Sequence, residues 1–138
     1  MFQATQVICD EFDKAGVKYT VRELENRSLV SVSFSVKGGP HLDVLFISRD
    51  DDNDVAVRVF NIVNVPEDKR DSVLRIINQA SIDYRYACFF LQKDGNVGAQ
   101  YDLPVKGAAV GPVCVEILVR LMKIVENVYP NLMKCLWA

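Results

Sequence analysis

Val30-Ser31-Val32-Ser33-Phe34-Ser35-Val36 alternates apolar and serine side chains without a break. A strand turns successive side chains to opposite faces, so this stretch has one apolar face and one hydroxyl face. It predicts a strand lying on a core, and it sets the period by which its neighbours are read. Before it, Val17, Tyr19 and Val21 alternate with Lys18, Thr20 and Arg22, with a turn around Glu25-Asn26-Arg27. After it, Gly38-Gly39-Pro40 predicts a turn and Leu42 to Ser48 a third strand. Asp50 to Asp54 predicts a further turn and Val55 to Val63 a fourth strand. Short turns between consecutive strands make an antiparallel meander.

Outward from the meander the period lengthens to that of a helix. Ala4, Ile8, Phe12 and Ala15 share one face of a helix over Phe2 to Ala15, and Gly16 suits the left-handed residue that ends it. In Asn64-Val65-Pro66-Glu67, Asn64 is placed to cap and Glu67 to complete a capping box, opening a helix to about Ala80. Tyr84 to Gln92 and Val97 to Leu103 read as strands joined by the Lys93-Asp94-Gly95-Asn96 turn. Pro112 is tolerated in the first turn of a last long helix, expected to end before Pro130, with Asn131 to Ala138 adding a turn. The order is αββββαββα. It predicts an α+β protein, an antiparallel sheet with helices packed on it, as a single domain over residues 1–138.

Composition agrees with one ordinary domain. The chain has 138 residues, half of them hydrophobic, and 16 basic against 18 acidic residues for a net charge of −2. No basic excess supports nucleic-acid or membrane binding, so neither is expected as a partner. Cys9, Cys88, Cys114 and Cys135 form no CxxC, and His41 is the single histidine, so no metal site is expected. The N-terminal residues lack the charge and apolar run of a signal peptide, and no run reaches the length that spans a bilayer. Cys135-Leu136-Trp137-Ala138 fits C-a-a-X only formally, since Trp137 is bulky and no polybasic stretch precedes it. The expectation is a cytoplasmic protein with four reduced thiols.

Residues that could carry chemistry do not assemble into a recognisable motif. GxSxG is absent, and a Cys–His pair would need His41 beside a cysteine that reads as core. Asp50-Asp51-Asp52-Asn53-Asp54 suggests calcium, but the sixth and twelfth loop positions are Val55 and Asn61, which an EF-hand does not tolerate. Such a cluster reads as a solvated turn. Gly107 and Gly111 lack the spacing and the Lys-Ser or Lys-Thr of a phosphate loop, and Pro112 removes a donor. Tyr84 and Tyr86 alternate with Arg85, which argues against a single-strand nucleic-acid platform. No catalytic, metal or cofactor-binding residue is therefore expected, and the chain reads as a non-enzyme. The alternative is a small-molecule-sensing or enzymatic domain with a pocket near Tyr84, Tyr86 and Asp102, joined by Arg85 and His41.

Apolar surface exceeds what one chain with one core needs. Strands three and four carry Val44, Phe46, Val57 and Val59 on one face, and Leu45, Ile47, Ala56, Phe60 and Ile62 on the other. The last helix carries one stripe of Val110, Cys114, Ile117, Leu121, Ile124 and Val128. A second consists of Leu118, Met122, Val125 and Tyr129. Together they span roughly 200°, about twice the arc that packing on one surface requires. Helix one or the tail is one cover for the second stripe. A second copy of the chain is the other, with Leu118, Met122 and Val125 the expected interface of a homodimer.

From Ile76 onward the sequence resembles the YbjN domain family. The resemblance rests on Asn78, Tyr84-Arg85-Tyr86, Asp94-Gly95-Asn96-Val97, Tyr101-Asp102-Leu103-Pro104 and Val110-Gly111, with Tyr129-Pro130 fitting less specifically. The first half matches by element order. The resemblance implies a fold similar to type III secretion chaperones, small homodimers that bind extended segments of other proteins. It also implies a regulatory role in sensory transduction. It implies no catalytic residue.

Overall fold

The computed structural model describes residues 2–49, 54–104 and 110–138. Helix α1 (Gln3–Ala15) is followed by β1 (Thr20–Leu24), β2 (Arg27–Ser35), β3 (His41–Arg49) and β4 (Asp54–Asn64). A 3-10 turn at Glu67–Lys69 leads into α2 (Arg70–Asp83). Then come β5 (Cys88–Leu91), β6 (Asn96–Pro104) and α3 (Val110–Trp137). The six strands form one antiparallel sheet in the order β1-β2-β3-β4-β6-β5. The final hairpin thus returns with β6 against β4 and leaves β5 at the edge.

The alternation in β2 sets the two faces. Ser28, Val30, Val32 and Phe34 stand in register with Ser48, Phe46, Val44 and Leu42 of β3. Val44 and Phe46 continue to Val59 and Val57 of β4, which in turn meet Ala99 and Tyr101 of β6. This inner face, with the buried stripes of all three helices, makes one hydrophobic cluster. Phe12 of α1 meets Phe46 edge-on with ring centroids 5.2 Å apart. Phe34, at the end of this row, is only half-buried and packs against the cluster's margin.

Helix α1 ends as its sequence predicts. Gly16 has φ of 71°, its N–H reaches Asp13 O, and Val17 N–H reaches Phe12 O at 2.9 Å. These two bonds close a Schellman turn. Elsewhere tertiary contacts move boundaries. Asn64 does not cap α2; it stays in β4 opposite Asn96, and its side-chain amide donates to Asn96 Oδ1 at 3.3 Å. Val17 and Tyr19 precede β1, and Tyr84 to Ala87 form a turn rather than the start of β5. Pro130 lies inside α3, which continues to Trp137. Proline costs a helix one hydrogen bond and a steric clash, about 3 kcal/mol. The residues beyond it bury Leu132 completely and bring Met133, Cys135 and Leu136 onto the core, which offsets that cost.

Two expectations about apolar surface are corrected by burial. Ile62 is not on the second sheet face but 2% exposed in the core. Between Val59 and Val63 the β4–β6 register shifts, and Asn61 there has φ of 60°. The bulge ends the simple alternation, and Ile62 and Val63 both turn inward. Leu118 and Val125, expected at a dimer interface, are 2% and 0% exposed within the single chain, and Met122 is half-buried against the same cluster. Helix α1 lies along α3 so closely that a Cβ at Gly111 would stand 3.0 Å from Glu11 Cβ. This chain's own first helix covers the second stripe.

Candidate functional site

With every helix on the inner face, the outer face of the sheet has no cover among the described residues. Leu29 of β2 pairs with Ile47 of β3, and Ile47 pairs with Ala56 of β4. Leu45 lies one pair further along β3. All four are half-exposed and stand outside the buried cluster. Phe60 and Phe90 extend the patch, meeting edge-on at 6.2 Å. Gly98 makes this arrangement possible: a Cβ there would stand 2.3 Å from Phe90 Cζ and 2.7 Å from Val59 O. Only glycine leaves the Phe90 ring room to lie across β6.

Polar groups border the patch, and Arg58, in register with Leu45, stands inside it. Arg58 forms a 2.6 Å ion pair with Asp102 and donates to Val57 O. At the opposite end Ser33 donates to Asp43 at 2.6 Å, and Ser35 shares a 2.6 Å hydrogen bond with His41 Nδ1. Apolar side chains interspersed with and bordered by polar groups suit a protein–protein contact surface. Other exposed large apolar side chains, such as Leu74, Ile82, Val119 and Trp137, lie on the helices.

The expected Tyr84–Tyr86–Asp102 pocket is only partly assembled. Because residues 84–87 turn instead of extending, Tyr84, Arg85 and Tyr86 do line one cavity, of about 390 Å³, with Arg120 and Lys123 of α3. The Arg120 guanidinium lies 4.6 Å from the Tyr86 ring centroid and is held by Glu116 at 2.7 Å, which raises its pKa. Tyr86 also meets Tyr101 edge-on at 5.8 Å. Asp102 and His41 are absent from this cavity; both belong to the outer sheet face with Arg58 and Ser35. The lining of two tyrosines, Arg85, Arg120, Lys123, Asn127 and Asp83 supplies groups that can bind a ligand.

Most of the acidic stretch at 50–54 lies outside the described residues, as does Gly107. Among the described residues no group of three or more His, Cys, Asp or Glu is placed to hold a metal ion. Among the described residues no helix is long and apolar enough to cross a membrane. The uncovered sheet face was only half legible in the sequence: alternation in β3 and β4 announced two apolar faces, but not which one the helices choose.

These features define a small α+β protein with one face of its sheet covered by helices and the other open among the described residues. Residues 5–123 match the model of the YbjN family, described as "Putative bacterial sensory transduction regulator", and the chain belongs to that family. Its fold is similar to that in the "Crystal structure of YbjN, a putative transcription regulator from E. coli". The TM-score is 0.61 over 92% of each chain at 9% identity. No curated protein sequence matches the chain.

Proposed function

We propose that this protein is a non-enzymatic regulatory module that acts by binding proteins, itself first, as a homodimer closed through the outer face of its sheet. The observation that carries the reading is the uncovered patch of Leu29, Leu45, Ile47 and Ala56 with Phe60 and Phe90 beside it. Apolar side chains on a sheet face gain by burial, roughly 25 cal/mol per Å² removed from water. Arg58 within the patch and Asp102 beside Ala56 carry both signs, which a two-fold contact can pair across its axis. The family description supports a regulatory role. The reading assumes the cytoplasm, where four free cysteines stay reduced.

Capture on tagged protein from its native cytoplasm tests the binding role. The wild type retains at least one partner protein, read by mass spectrometry. A chain that retains none at native concentration contradicts it.

A further inference from the structure

A second surface, on the helical side of the molecule, is independent of the sheet face. The cavity beneath Tyr84 and Tyr86 shares Asp83 and Tyr84 with a second cavity of about 460 Å³ between α2 and α3. The two are halves of one trough. Along α3 the lining runs from Arg120 to Cys135 at spacings of three and four, so it is one face of the helix. At 1.5 Å per residue that face is roughly 22 Å long, the span of about six residues of extended chain.

The chemistry of the trough is distinctive. Its floor is apolar, with Ala80, Ile124 and Val128 buried and Ile76 half-buried. Its walls hold Arg85, Lys123 and Lys134, none of which has a hydrogen bond or ion pair among the described residues. Asp83 is the one carboxylate in the lining. In a chain of net charge −2 this is a local cationic excess. Asn127 and Asn131 also line it, with side-chain amides that bond to nothing else among the described residues. Free amides match the unpaired N–H and C=O groups of an extended backbone, which a helical ligand has already satisfied internally.

We propose that the α2–α3 trough binds an extended acidic peptide segment of a partner protein, with apolar side chains on the floor and carboxylates at Arg85, Lys123 and Lys134. This deepens the protein-binding reading and does not need the dimer. Charge sets the partner's sign and the amides set its extended form.

Two cysteines report the two surfaces separately. Cys135 lines the trough, whereas Cys88 is exposed on β5, in register with Gln100 of β6 on the outer sheet face. The probe is a fluorescent peptide of about six alternating glutamate and leucine residues, read by anisotropy and by iodoacetamide labelling followed by mass spectrometry. The peptide binds, slows alkylation of Cys135 and leaves Cys88 unchanged. The double variant Arg85→Glu, Lys123→Glu, both at exposed positions, weakens binding about tenfold or more. No binding, binding that leaves Cys135 unprotected, or binding indifferent to the charge reversal overturns the proposal. So does equal protection of Cys135 by the same concentration of ADP, which would assign the trough to a small anion. Loss of dimerisation at the sheet face changes Cys88 and not Cys135, so failure of that reading is seen separately.

Discussion

Cys114 shows how burial alone sets a side chain's behaviour. Desolvation among the apolar residues of α3 raises its thiol from 9.0 to about 12, and Cys9 is raised first by the same cause. Between those values the unfolded thiol has lost a proton that the folded one keeps. Stability present below pH 9 is therefore lost as pH rises towards 12, by at most about 1.4 kcal/mol per unit for one group. Cys114→Ala makes the fall in urea midpoint between these pH values shallower; an unchanged slope would contradict burial as the cause. The inner-face serines are a second case. Ser28 and Ser48 are paired in register and both buried; Ser28 donates to Glu23 at 2.6 Å, while Ser48 Oγ has no partner among the described residues. Ser28→Ala costs about 0.5–1.5 kcal/mol in chemical denaturation, whereas Ser48→Ala is neutral or stabilising. The reverse order would mean that the Ser48 hydroxyl is bonded. The burial of Cys114 was legible from its place in the apolar stripe of the last helix, and Ser28 and Ser48 share the parity of the core-facing Val30 and Phe46. Not legible was that Glu23 reaches only one of the two hydroxyls.

At the scale of elements, periodicity was a sound guide wherever a single face met the core. The αββββαββα order follows from alternation in β2 to β4, the helical stripes and the Gly16 and Gly95 turns, and the structure has that order. Periodicity failed where a long-range contact decided the outcome. The α3 helix passes through Pro130 because Leu132 is needed in the core, and β4 holds Asn64 because Asn96 lies opposite. The β4 bulge, which turns Ile62 inward, has no signature except Asn61, a residue type that tolerates positive φ. Register also ranks the aromatics. Phe46 lies mid-sheet beneath Phe12 and is 1% exposed, so Phe46→Ala costs about 3–5 kcal/mol. Phe34 has the same alternation in sequence but sits at the strand's end, half-buried, so Phe34→Ala costs less than Phe46→Ala. Urea unfolding of the two variants side by side checks this. Equal costs would place Phe34 fully inside.

The whole molecule is one-sided. Three helices stack on one face of six strands, and the strand edges are treated differently. At β5 the Ser81 hydroxyl accepts the Phe89 N–H at 3.0 Å, so α2 caps that edge. The excess apolar surface was legible as a quantity, from the double stripe on α3 and the double face of β3 and β4. Its distribution was not, because α1 could cover either. It covers α3, burying Leu118 and Val125, and the sheet is what remains open. The central claim is that a second copy covers that open face. Light scattering on a size-exclusion column at micromolar concentration tests it most directly, with Ile47→Asp run beside the wild type. The account predicts a wild-type mass of about 31 kDa, twice the 15.5 kDa chain, and a 15.5 kDa variant with unchanged circular dichroism. A wild type that elutes as a soluble 15.5 kDa species, or a variant that keeps the doubled mass, would contradict it.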